Sequence, residues 1–137
     1  MTKPFASATK VPIERSKVEI DLLLQRHGAT KRGIQVDDEA RKAIVAFALE
    51  GRLYRMELPL PDPNDGKANR VRWRAVVLLI KTKLEVIRIG VSTPEREFLA
   101  DLVLPDGSTA HFTIDEYMRK LFANGYTAPL SLPEARS

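Results

Sequence analysis

Cysteine is missing from the 137 residues. That excludes disulfides, thiolate metal sites and a cysteine nucleophile, and it agrees with a reducing, cytoplasmic setting. Histidine occurs only at His27 and His111, too seldom for a histidine-rich metal centre. Long apolar runs are also missing. The longest, Ala75 to Ile80, falls far short of the roughly 20 residues that cross a bilayer. The opening MTKPFASATK has no continuous apolar core of the leader-peptide kind. What is present is a hydrophobic fraction of 44%, enough for a real core in a single domain of this length. The formal net charge of +4 leans mildly toward polyanionic partners.

Residues 1–11 are small and polar and read as a flexible basic tail. Pro12 suits a helix start, and Ile13, Ile20, Leu23 and Leu24 recur at helical spacing up to Gly28. This spacing predicts a first helix over about 13–27. Alternation then takes over. Ile34 and Val36 share one face of a strand, Val45, Phe47 and Leu49 one face of a second, and Tyr54, Met56 and Leu58 one face of a third. This predicts an antiparallel meander over about 33–37, 42–50 and 52–59, with Gly51 supplying a positive φ at the second turn. One sheet face must be covered by other elements.

The proline-rich loop Pro59 to Lys67 ends the sheet, and Asp65 or Asn69 is placed to cap the next helix. That helix is long, over about 68–89. At about 100° per residue, Trp73, Val76, Val77, Ile80, Leu84 and Ile87 form one apolar stripe. Ala75, Leu78, Leu79, Thr82 and Val86 form a second on the opposite side. A helix apolar on two sides is ordinarily covered on both; the sheet is one cover and the C-terminal segment is expected to be the other. Thr93-Pro94-Glu95 predicts a third helix over about 94–103 with Phe98, Leu99, Leu102 and Val103 inward. AHFTI (Ala110 to Ile114) reads as a short strand. A fourth helix is expected from near Asp115 to Gly125, carrying Tyr117, Met118, Leu121 and Phe122, and residues 126–137 read as a loose tail. The class is α+β: one domain over 12–125 with a mostly helical C-terminal appendix.

Two resemblances bear on this order. Helix, meander and long helix over residues 13–89 resemble the double-stranded-RNA-binding domain in topology. Such domains carry a Lys-Lys-x-Ala-Lys-like cluster where this chain has Lys67, Arg70, Arg72 and Arg74, with Trp73 among them and no matching sequence. The block RVRWRAVVLLIKTKLEVIRIGVSTPEREFLADLVLPDGS, residues 70–108, resembles uncharacterised accessory proteins of phages and mobile elements. That likeness implies a bacterial cytoplasm, and DNA handling or the redirection of host machinery; it assigns no site residue.

Two binding surfaces are therefore expected. Lys67, Arg70, Arg72, Arg74, Lys81 and Arg88 surround the long helix, and cations beside a helix N-terminus suit the phosphate backbone of DNA or RNA. Lys3, Lys10, Arg15, Lys17, Lys31, Arg32, Arg41 and Lys42 extend such a patch if the fold gathers them. The competing reading is a solvated rim paired with acids such as Glu57, Glu85, Glu95 and Glu97. The second surface is the outer sheet face, where Ile44, Ala46, Ala48, Leu53 and Arg55 are more apolar than water favours, and which suits a host- or element-encoded protein or a homodimer contact. Trp73 and Tyr54 fit the core better than a base-stacking platform. Asp37-Asp38-Glu39 and Asp62/Asp65 read as turn residues and not as the converging carboxylates of a metal-dependent nuclease. His27 and His111 have no partner pattern. No catalytic residue, metal or cofactor is expected, and an enzyme has no positive feature in the sequence.

Overall fold

A computed structural model describes residues 10–128. Its elements are α1 (Ile13–Arg26), β1 (Thr30–Asp37), β2 (Lys42–Leu49), β3 (Arg52–Pro59), α2 (Gly66–Arg88), α3 (Pro94–Glu97) and α4 (Ala110–Ala123). The expected α+β order therefore holds. Of the tails assigned to 1–11 and 126–137, residues 1–9 and 129–137 lie outside the described residues.

The three strands form an antiparallel sheet in the order β1-β2-β3. Ile34 pairs with Val45 and Val45 with Met56, so the apolar set falls on one face, as a period of two requires. Between β2 and β3 both central turn residues are left-handed, Glu50 at φ 51° and Gly51 at φ 79°. That is the geometry that joins twisted strands with two residues. β1 starts earlier than its apolar pattern suggests. It carries a bulge between Thr30 and Gly33, with Lys31 at φ 52°, and so reaches back almost to α1.

α1 and α2 form one layer on the sheet. Ile20, Leu23 and Leu24 of α1, and Trp73, Val76, Val77, Ile80 and Leu84 of α2, bury against Ala43, Val45, Phe47, Tyr54 and Met56. Trp73 and Tyr54 are core residues, as their strand and helix faces require. Lys17 lies over the Trp73 ring at 5.3 Å, its stem sealing the edge of the core. Asp65 caps α2 by accepting from the Ala68 amide at 3.0 Å. Asn69 is buried and donates to the carbonyls of Asp62 and Asp65, which ties the proline-rich loop to the helix.

The C-terminal segment departs from expectation in three respects. First, the third helix stops at Glu97. Thr93 caps it and Pro94 opens it as expected, but Phe98 leaves helical φ and inserts edge-on against Phe47, centroids 5.0 Å apart, and beside Tyr54 at 5.7 Å. Burying Phe98 turns the chain, and a short 3-10 turn, Leu99–Asp101, comes next. Leu102 and Val103 then run extended beside β3, with Leu102 bridging Tyr54 and the Val103 amide donating to the Leu53 carbonyl at 2.9 Å. Second, Ala110 to Ile114 is not a strand but the first turn of α4. Ala110, Ile114, Met118 and Leu121 share one helical face, and that spacing outweighs the brief alternation of Ala110, Phe112 and Ile114. Third, the appendix does not cover the outward stripe of α2. It docks at the end of α2 and along the edge of β3 instead, and Leu78 and Leu79 remain 43% and 42% exposed.

Candidate functional site

The cations around α2 are mostly committed within the chain. Arg74 reaches across to α1 and forks onto Glu19, with Nη1 and Nη2 donating at 2.5 and 3.1 Å. The guanidinium holds the Glu19 carboxyl below its usual range. Arg72 donates to the Pro59 carbonyl and so pins the end of β3. Arg88 turns onto Glu85 one helical turn away; Glu85 is held below and Arg88 above their ordinary values by that hydrogen bond. Arg70 is engaged as well, and its guanidinium folds back beside Gly66. Lys67 and Lys81 are exposed. Lys67 shares a shallow groove with Lys10, Pro12, Ile13 and Arg70 at the head of α2.

The wider basic set is dispersed in the same way. Arg32 donates to Asp21 at 2.7 Å and to the Ala29 carbonyl, Lys17 meets Glu14 at 3.3 Å, and Arg41 lies 3.7 Å from Asp62. Of the acids named as partners in the sequence, Glu85 pairs with Arg88, Glu95 with Arg52 at 2.6 Å, and Glu57 lies 3.9 Å from Arg55. Lys3 lies outside the described residues. Lys67 and Arg70 share the groove at the head of α2, while Arg72, Arg74 and Arg88 are held by the Pro59 carbonyl, Glu19 and Glu85.

The outer sheet face is open and carries a shallow groove lined by Gly33, Gln35, Ile44, Ala46, Arg55 and Glu57. Gly33, Ala46 and Arg55 lie in register across it, as do Gln35, Ile44 and Glu57. Ile44 is half-buried and Leu53 exposed. Arg55 is not a free contact residue: its Nη2 donates to the Gly107 carbonyl at 2.9 Å, which draws the 104–109 loop onto the edge of the sheet. This loop borders the face at one edge, and small residues run along its middle.

The larger exposed apolar surface is on the helices. α4 has 14 residues and none is buried. Phe112, Tyr117 and Phe122 are 64%, 65% and 58% exposed, and Tyr126 lies 6.0 Å from Phe122, extending the strip past the helix end. The sequence shows these side chains, but its spacing gives Tyr117, Met118, Leu121 and Phe122 a covering role. Their exposure comes from where the appendix docks, which local spacing does not reveal.

The remaining titratable groups have local roles. Asp37 and Asp62 accept amide hydrogen bonds from Ala40 and Asn64 within their turns. His27 Nδ1 meets the Leu23 carbonyl at 2.8 Å, and His111 Nδ1 the Thr109 hydroxyl at 2.7 Å. Burial pushes the Asp101 carboxyl up, with Lys83 and His111 opposing. No acid or histidine group able to hold a metal ion occurs among the described residues, and no helix among them is long and apolar enough to cross a membrane. Comparison with protein-family models, with curated proteins and with solved structures finds no match.

Proposed function

We propose that this chain is a protein-interaction module that engages its partner through exposed apolar helix surface. The observation that carries this reading is α4, a helix whose aromatic side chains are exposed and which buries no residue of its own. A helix of about 14 residues is marginal in water without packing, and an apolar face of this size on a folded chain is the usual mark of an interaction site. In the accessory setting that the sequence likeness implies, such a module acts as an inhibitor or adaptor of host or element machinery. A photo-reactive phenylalanine placed at position 122 of the full chain tests it. Expressed in the native host, it is expected to give one dominant cross-linked protein, lost with Tyr117→Asp. Diffuse labelling that Tyr117→Asp leaves unchanged contradicts the reading.

The sequence's first expectation, contact with a nucleic-acid backbone, rests now on a smaller group: Lys10, Lys67 and Arg70, which line one groove at the head of α2. Few cations give weak binding with a shallow salt dependence. Fluorescence anisotropy with short single- and double-stranded DNA and RNA at two salt concentrations decides it. Binding that strengthens at low salt and is lost in Lys10→Ala/Lys67→Ala supports the nucleic-acid reading. Binding insensitive to that pair, or no binding, removes it.

A further inference from the structure

The outward side of α2 carries an apolar stripe that the described residues leave largely open, with Leu79, Thr82 and Ile89 exposed and Ala75 and Val86 half-buried. Ala75, Leu79, Thr82, Val86 and Ile89 succeed one another at alternating spacings of four and three, the repeat that seats one helix against another. Leu78 and Leu79 are 43% and 42% exposed and Ile89, at the helix C-cap, 54%. Trp73, Val77 and Leu84 on the opposite side fill the core. The stripe is thus separate from the fold's own packing.

We infer that its occupant is a second copy of this chain, with the two α2 helices antiparallel across a two-fold axis at Thr82. This deepens the interaction-module reading, on which it rests, by naming a different surface and a self-complementary partner. About Thr82, Ala75 comes level with Ile89 of the second copy, and Leu79 comes within one residue of the second copy's Val86 on the flank the two share, so small meets large at the ends and apolar meets apolar between. An isologous contact requires that self-complementarity. Charge agrees. In this register Lys81 of the second copy is displaced from Glu85 by two residues, about 3 Å along the axis. Both sit on the same flank of α2, which in an antiparallel pair meets its own counterpart. Lys81 is exposed and already biases Glu85 toward its charged form within one chain; across the axis the pair occurs twice. A standard interface covers roughly 800 Å² per partner, more than one helix supplies. α1 lies beside α2, joined by the Glu19–Arg74 pair, and its exposed Val18 and Leu22 widen the face. The two helix layers then stack back to back with both sheets outside.

Because the chain has no cysteine, single introduced cysteines read the register directly. Under mild oxidation of the full chain, Thr82→Cys is expected to form a disulfide-linked dimer, as is the double variant Ala75→Cys/Ile89→Cys. Ala75→Cys alone is expected to remain monomeric on a denaturing gel, since in the antiparallel pair its two copies lie about 21 Å apart along the axis. Sedimentation velocity on the unmodified chain should give twice the chain mass, reduced to the chain mass by Leu79→Glu with an unchanged circular dichroism spectrum. Phe122→Asp should leave the dimer intact, which separates failure here from failure of the α4 reading. Linkage of Ala75→Cys alone overturns the antiparallel register. A monomer at all concentrations, or a dimer untouched by Leu79→Glu but lost with Phe122→Asp, overturns the proposal.

Discussion

At the scale of single residues, the strongest effects lie in the aromatic knot and in two carboxylates. Phe98 is wholly buried against Phe47 and Tyr54, and it fastens the C-terminal segment into the core. Phe98→Ala is expected to cost about 3–5 kcal/mol in denaturant unfolding and to free residues 94–128 to exchange amide protons early. Glu19 is lowered by its forked bond to Arg74. Its contribution is therefore full above the carboxyl's unfolded value and disappears as pH falls through the lower folded one. A double-mutant cycle with Glu19→Gln and Arg74→Met should give a coupling of about 0.5–1 kcal/mol at neutral pH, absent in strong acid. Asp101 has the opposite sign. Burial raises it, so folding favours its protonated form and stability falls as pH climbs from the ordinary carboxyl range through the raised value. Asp101→Asn should raise the melting temperature at pH 7 and flatten that decline; an equal shift at pH 4 contradicts the assignment.

At the scale of elements, much of the chain was legible because its signals are local. The two-residue β2–β3 turn, the Asp65 and Thr93 caps and the alternation of Val45, Phe47 and Leu49 each declare themselves within a few positions. Gly51 at φ 79° belongs to this group, and Gly51→Ala should cost about 1 kcal/mol in thermal melts, since the left-handed backbone there penalises a Cβ. What stayed illegible depends on long-range partners. The third helix stops because Phe98 finds Phe47 and Leu102 finds Tyr54, contacts that no window around residue 98 contains. Over Ala110 to Ile114, five residues satisfy a strand and a helix alike, and only Met118 and Leu121 tip the balance. The partners of the candidate phosphate cluster stayed hidden for the same reason. Arg74 reads as a surface cation until Glu19, 55 positions away, is set beside it, and Arg72 until the end of β3 is.

At the scale of the whole molecule, the sheet and the helix layer have divided the labour. The inner faces of both are filled, the sheet's outer face is open and edged by the Arg55–Gly107 contact, and the outward sides of α2 and α4 carry exposed apolar surface. Within the net charge of +4, Arg32, Arg52, Arg74 and Arg88 are paired with carboxylates of the fold. The central claim is that outward helix surface, and not the cations of α2, carries recognition. Methyl-resolved NMR of the full chain tests it most directly, recorded on dilution and then on addition of duplex DNA at physiological salt. The account predicts that the methyls of Leu78, Leu79, Val86 and Ile89 shift on dilution while those of Val45 and Val77 hold still, and that DNA moves neither set. Stripe methyls that ignore concentration, together with DNA-induced shifts at Val71 beside Arg70 and Arg72, would contradict it.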